Sequence, residues 1–326
     1  MKQFQYVRPS SQQNVLAAIA QPGTKIIAGG SNLVDLMKHG VMTPDKLVDI
    51  NRLPLRNISD IKGGLHIGAL ALNSQVAEDK LVKSMFPLLS QALNAGASAQ
   101  LRNMATVGGN MMQRTRCPYF YDVAMPCNKR SPGTGCGALE GFNRMHAIFG
   151  FSDKCIAVHP SDMAVAMAAL DATVLIQGRK GARRLKFTDF HRLPGNTPEL
   201  DNNLAKDELI TGVEIPVNNF ANHSYYLKVR DRASYAFALV SVAAAMDIQN
   251  GIIKDARLAM GGVAHKPWRL TAAEQALRGK PATAATFEQA AQVAMQGAKS
   301  FKDNAFKLKM APATITEALK HAAGLV

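Results

Sequence analysis

Mixed α+β structure in two domains is what this sequence predicts, and three observations carry the prediction. Helix and strand formers are both plentiful among 326 residues, of which 47% are hydrophobic, enough for more than one core. Short apolar runs bounded by glycine alternate with segments of helical period up to about residue 216. A polar stretch near 217–223, PVNNFANHS, then punctuates the chain. The predicted domains are therefore 1–218 and 219–326, the second an α+β unit with a small antiparallel sheet and packed helices.

Residues 1–22 read as a short strand and then a helix opened by Ser10 or Ser11 as N-cap. KIIA is a buried strand that runs through a Gly-Gly turn into a helix capped by Ser31 or Asn32. KLVDI and GLHIGAL are short strands, SQVAEDKLVKS one helix, and PLLSQALNAGA another. LRNMATVGGNMMQ is glycine-rich and barely periodic, a functional loop or a tight turn before a short helix. HPSDMAVAMAALDA is a helix capped by Ser161 or Asp162, followed by the strands ATVLIQG and ELITGVEIP. SYYLKVRDRASYAFALVSVAAAMDIQNG is two long strands, or a strand and a helix; GIIKDARLAMGG is a strand and turn, and helices follow Thr271.

All four cysteines, Cys117, Cys127, Cys136 and Cys155, lie in one Pro- and Gly-rich stretch with spacings of 9, 8 and 18 residues. Thiols used only as small core hydrophobes would be scattered. Disulfides suit small domains short of core in oxidising compartments. A structural zinc site usually shows close Cys pairs, and none is present. A four-iron cluster tolerates wide spacing, because each iron takes its own thiolate. On spacing alone the iron–sulfur, zinc, disulfide and free-thiol readings all stay open.

The net charge is +14. Basic residues are spread along the chain, without the tail, helical stripe or finger pattern of a nucleic-acid binder. Arg102, Arg114, Arg116, Lys129 and Arg130 are gathered against one acid of the same segment, Asp122, which points to an anionic neighbour. No run is apolar enough to span a bilayer, and the N-terminus lacks a charged n-region before an apolar h-region. His159, beside Pro160, reads as a surface group rather than a ligand.

Two turns invite a phosphate. Ala28-Gly29-Gly30-Ser31-Asn32-Leu33 runs from strand to helix; Thr106-Val107-Gly108-Gly109-Asn110 is the second. Paired glycines let backbone approach a ligand and present N–H groups to an anion. Neither matches a dinucleotide fingerprint or a Walker loop. Together they favour a pyrophosphate-containing cofactor.

KIIAGGSNLVDLMK, LRNMATVGGNMMQ, HPSDMAVAMAALDA and YLKVRDRASYAFALVSVAAA together resemble, in order, the blocks of the FAD-binding (medium) subunit of the molybdenum hydroxylase or xanthine dehydrogenase family. RCPYFYD, PCNKR and GCGALEGF resemble the insert of the [4Fe–4S]-containing flavin subunit of bacterial periplasmic aldehyde oxidoreductases, here at about 111–158. The resemblance implies a two-subdomain FAD-binding domain of the PCMH type. It implies FAD contacts from Ala28, Gly29, Gly30, Ser31, Asn32, Leu33, Thr106, Gly108, Gly109, Asn110, Asp162, Ile210 and Lys228, and cluster ligation by Cys117, Cys127, Cys136 and Cys155. Residue by residue, Asp162 also reads as a helix cap, Lys228 as a strand edge and Ile210 as plain core.

No nucleophile–base set stands out in the chain, so no catalytic residue is expected here. The resemblance implies an oxidoreductase in which a large molybdenum-cofactor subunit oxidises aldehyde to carboxylic acid. Electrons would pass through a small subunit with two [2Fe–2S] clusters to the FAD held here and on to an external acceptor, in an αβγ heterotrimer. It also implies periplasmic co-export with a signal-bearing partner, with a cytoplasmic home as the alternative. An aryl-CoA reductase of the same family and a basic iron–sulfur nucleic-acid-binding protein are the rival readings.

Overall fold

The N-terminal sequence builds a small parallel sheet in the order Gln5–Val7, Lys46–Asp49, Thr24–Ile27. The computed structural model describes residues 1–326. The helix Gln12–Ile19 starts where Ser11 Oγ accepts from Asn14 N–H at 3.2 Å, one of the two caps expected. Its apolar stripe, Val15, Leu16 and Ile19, closes a core with Val48, Ile50 and Leu53. The helix Leu33–Lys38 follows the first glycine turn.

The next sheet is antiparallel, in the order Ile58–Ile61, Gly64–Gly68, Glu208–Pro216, Thr173–Gly178, Gly181–Lys186. The pairing of Gly64–Gly68 with Glu208–Pro216 joins segments distant in sequence, and Thr173–Gly178 and Gly181–Lys186, from the chain between them, complete the same sheet. The single helix expected over SQVAEDKLVKS is two, Asn73–Glu78 and Lys80–Met85. Asp79 between them is extended, at φ −63° and ψ 136°. Its carboxylate accepts from the N–H groups of Leu81 at 2.8 Å and Val82 at 3.2 Å, restarting the helix.

The last sheet is antiparallel too, in the order Trp268–Arg269, Ile252–Gly261, Val240–Gln249, Ser224–Val229. The segment that reads as two strands or a strand and a helix is two strands. Val240–Gln249 is almost wholly apolar from Val240 to Met246, where every residue is buried because both faces are covered. Val242, Ala244 and Met246 pack with the helices Thr271–Leu277, Ala284–Ala294 and Lys307–Ala323. Ala243 and Ala245 face the other way, into the core of the preceding subdomain.

That second core also contains the helix Asp162–Ala169, every residue of which is buried. It packs between the helix Pro87–Ala95 and the strands Val240–Gln249 and Ile252–Gly261. A helix apolar on all sides has to sit inside a layered structure rather than on its surface. It joins the middle layer to the C-terminal sheet and so sets where Asp162 stands.

Candidate functional site

A cleft of about 780 Å³ opens beside the first glycine turn. It is lined by Ala28, Gly29, Gly30, Ser31, Asn32 and Leu33 from that turn, and by Thr106 and Gly109 from the second. Gly30 takes φ +72°, so the backbone alternates in a way that turns successive N–H groups towards one side. The N–H groups of Ser31, Asn32 and Leu33 donate to no acceptor in the chain. Asn32 Oδ1 accepts from Arg114 N–H at 2.9 Å, which fixes the amide orientation. Its buried Nδ2 is left with no partner. Orphaned donors of this kind are rare and call for an acceptor from a ligand or water. Lys25, Arg114 and Lys206 line the same cleft. Burial pushes the Lys25 ammonium below its ordinary value, and the charges of Arg114 and Lys206 push it the same way.

The two turns touch. A Cβ on Gly29 would stand 1.9 Å from the carbonyl oxygen of Met104, so only glycine lets the strand end lie against that backbone. The second turn, however, keeps its amides for itself. Val107 N–H donates to Ala71 O at 3.0 Å, Gly108 N–H to Ala69 O at 2.8 Å, and Gly109 N–H to Thr106 Oγ1 at 3.2 Å. The sequence suggests two phosphate cradles; the structure leaves free N–H groups at the first. The second is a Thr106-capped helix, Val107–Met111, that presents side chains. Asn110 Oδ1 accepts from Ser161 Oγ, linking it to the buried helix.

At the head of that helix Asp162 is shared. Its Oδ1 accepts from Tyr226 O–H at 2.8 Å and its Oδ2 from Lys228 Nζ at 2.8 Å. Lys228 also donates to Ala95 O at 3.0 Å. The ammonium is 4% and the carboxylate 8% exposed, so this is an ion pair inside the molecule and not a solvated strand edge. Ser161, not Asp162, is the cap of the helix, accepting from Ala164 N–H at 3.0 Å. Burial and the Asp162 charge drive the Tyr226 hydroxyl well above its ordinary pKa. Asp162 lines a second, smaller cavity of about 110 Å³, with Cys117, His146, His159, Phe237 and Ser241.

Residues 2–218 match the family model described as FAD binding domain in molybdopterin dehydrogenase, and 225–322 match CO dehydrogenase flavoprotein C-terminal domain. The chain belongs to the FAD-binding subunits of the molybdenum hydroxylases. It is 48% identical over 329 aligned residues to the aldehyde oxidoreductase FAD-binding subunit PaoB of Escherichia coli strain K12, covering 99% of each chain. It is 31% identical to the glyceraldehyde dehydrogenase medium chain of Sulfolobus acidocaldarius, over 85% of this chain and 82% of that one. Its fold matches quinoline 2-oxidoreductase of Pseudomonas putida 86 at a TM-score of 0.77 and 27% identity, over 99% of both chains.

In this flavoprotein subunit the four cysteines, Cys117, Cys127, Cys136 and Cys155, form no disulfide with one another and line one small internal space. Nearby backbone amides work to lower the thiol pKa values: those of Tyr119 and Phe120 at Cys117, of Ala138, Leu139 and Ile156 at Cys136, and of Ala157 at Cys155. Burial pushes the Cys117 thiol up to about 12. The hydrogen bond from Cys155 holds the Cys136 sulfur down, at about 6, and the same bond raises Cys155. No group of three or more His, Cys, Asp or Glu side chains is gathered closely enough to hold a single metal ion.

The loop is tied by polar contacts together with a small apolar cluster of Leu36, Phe120 and Cys127. Arg130 donates to the carbonyls of Tyr119 and Phe120, each at 2.8 Å. Asn128 Oδ1 accepts from Gly133 at 3.1 Å and Gly135 at 2.9 Å. Buried Lys129 donates to Pro198 O at 2.7 Å and to Asp201 at 2.6 Å. Arg114 shares the same Asp201 carboxylate at 2.6 Å. The two cations hold that carboxyl down at about 2 against the opposing effect of its burial. Arg116 pairs with Asp35 at 3.2 Å, and Arg102 donates to Gly96 O at 2.7 Å. The basic segment that suggests an anionic neighbour is thus largely engaged within the chain, by acids distant in sequence.

Ile210 lies in the strand Glu208–Pro216, paired with Ile176, and its side chain joins the middle core. It lines neither the cleft nor the smaller cavity. Sequence reasoning also leaves out a buried histidine group. His159, expected at the surface, is 8% exposed and its ring lies 4.2 Å from that of His191. His265 is equally buried, and neither of its nitrogens has a partner. Burial keeps His159 and His265 well below their ordinary pKa and His191 down at about 4.

Two outcomes follow from these contacts. Gly29→Ala purifies with less than stoichiometric FAD, read from flavin absorbance per chain, because the new Cβ meets the Met104 carbonyl. His191 binds a proton in the unfolded chain from about pH 6.5 downward but in the folded one only near pH 4, and burial shifts His159 and His265 in the same direction. Stability is therefore complete above that range and falls as pH drops through it, by about 1.4 kcal/mol per pH unit for each histidine. Urea midpoints at pH 7 and pH 5 check this, and equal midpoints would contradict it.

Proposed function

We propose that this chain is the FAD- and [4Fe–4S]-binding electron-transfer subunit of a molybdenum-dependent aldehyde oxidoreductase. The aldehyde assignment rests on one observation, 48% identity to an aldehyde oxidoreductase flavin subunit across 99% of both chains. The overall reaction would be aldehyde plus water giving carboxylic acid, two protons and two electrons. FAD, when bound, supplies a centre that accepts those electrons and hands them to an external acceptor.

The chain's own residues fit that role. Free amides at Ser31–Leu33 and the orphaned Asn32 amide suit the FAD diphosphate. Thr106, Gly108, Gly109 and Asn110 would form the second contact, through side chains and close backbone approach, and Asp162 and Lys228 would border the flavin end. Ile210 would act through packing. The buried Asp162–Tyr226–Lys228 contact holds a fixed charge pattern where the cofactor's electronics would feel it.

The four cysteines fit a cubane better than zinc or disulfides. The four residues line one space, and neighbouring backbone amides favour the charged sulfur at Cys117, Cys136 and Cys155.

The partners would be a large molybdenum-cofactor subunit and a small subunit with two [2Fe–2S] clusters, in an αβγ heterotrimer. Domain limits at 1–218 and 219–326 accord with the change of sheet between Pro216 and Ser224. The compartment we propose is the periplasm, reached by export in the folded state with a signal-bearing partner. No helix is long and apolar enough to cross a membrane.

Cys127→Ser in the assembled complex tests the cluster and its role together. Iron and acid-labile sulfide fall by about four each per complex, the content of one cubane, while FAD stays. Unchanged iron would remove Cys127 from the ligand set. Turnover by that variant with its external acceptor then tells a structural cluster, for which it persists, from an obligatory relay.

A further inference from the structure

One side chain belongs to the wall between the cysteine space and the smaller cavity. Cys117 lines both. On the far side of its sulfur stands His146, with Nε2 at 3.1 Å from Sγ. The imidazole is buried at 3% exposure and itself lines the smaller cavity. We propose that His146 is a positioning and tuning residue, donating Nε2–H to the Cys117 sulfur and thereby raising the reduction potential of the cluster that Cys117 would ligate. The inference rests on the [4Fe–4S] reading above and assigns a residue that reading does not use.

The donor direction follows from chemistry. A ligating cysteine is a thiolate and has no proton to give. The close nitrogen must therefore carry the hydrogen, which leaves Nδ1 as the bare acceptor; that atom is buried and has no partner. A neutral ring with its one N–H aimed at sulfur accounts for both atoms. A hydrogen bond to a ligand sulfur withdraws electron density from it and stabilises the more negative, reduced cluster.

The ring does not reach the sulfur by chance of packing. His146 N–H donates to Asn143 O at 3.0 Å. Its carbonyl accepts from Lys307 Nζ at 2.9 Å and from Asn304 Nδ2 at 3.2 Å. Lys307 is wholly buried and donates also to Gly262 O at 2.7 Å. The C-terminal helix Lys307–Ala323 thus anchors the backbone of the residue whose ring meets the Cys117 sulfur. The bond is also the contact that joins the proposed cluster to the cavity bordered by Asp162.

The test uses the assembled complex, with its cluster potential followed by electron paramagnetic resonance during a redox titration. His146→Leu keeps iron, sulfide and FAD but shifts the cluster midpoint to a more negative value. His146→Gln, which restores an N–H donor, recovers part of the shift. The flavin midpoint moves less than the cluster midpoint in both. An iron-replete His146→Leu complex with an unmoved midpoint overturns the inference.

Should His146→Leu fail to assemble, the unmodified complex gives a second readout. With nitrogen-15 histidine incorporated, pulsed resonance of the reduced cluster shows a coupling to a histidine nitrogen, and its absence overturns the inference. A complex that holds flavin but no four-iron signal in this subunit overturns the cluster reading itself, an outcome distinct from either result above.

Discussion

Negative charge taken out of water needs hydrogen-bond donors already in place, and two parts of this chain are built around that requirement. At the first glycine turn the amides of Ser31, Asn32 and Leu33 are left unused by the fold, with the Asn32 side chain beside them. In the cysteine loop, neighbouring backbone amides favour the charged sulfur. Both arrangements become favourable when an anionic group is present to accept.

A second constraint keeps these donors in register. The Gly29 backbone lies against Met104, so the N-terminal sheet and the Thr106 turn move as one. The Thr106 turn is linked through Asn110 to Ser161, and the helix that Ser161 caps carries Asp162 into contact with Tyr226 and Lys228 of the C-terminal sheet. Losing one member of a buried ion pair typically costs about 3–5 kcal/mol, because the other charge is left uncompensated. The three layers are therefore joined through polar contacts that converge on the space between them, where a cofactor needs a rigid frame.

Local chemistry was legible in the sequence, and long-range pairing was not. Ser11 and Ser161 act as caps within their own short segments, so residue type alone points to them. The clustering of Cys117, Cys127, Cys136 and Cys155 is visible because the loop that holds them is continuous. By contrast, the Asp35 and Asp201 partners of the basic segment are distant in sequence. The amides of the second glycine turn are taken by Ala69 and Ala71, which no motif links to it. The strands Ile58–Ile61 and Gly181–Lys186 carry charged residues at sheet edges and lack the apolar run that announces a strand. His159 looks solvent-exposed until His191 and His265, from other layers, bury it.

The central claim is that this one polypeptide carries both an FAD and a four-iron cluster. Native mass spectrometry of the subunit, released from complex purified without oxygen, tests it most directly. The expected mass is that of the chain plus one FAD and one Fe4S4 unit. A mass matching the chain with zinc, with two disulfides, or with FAD alone would contradict it.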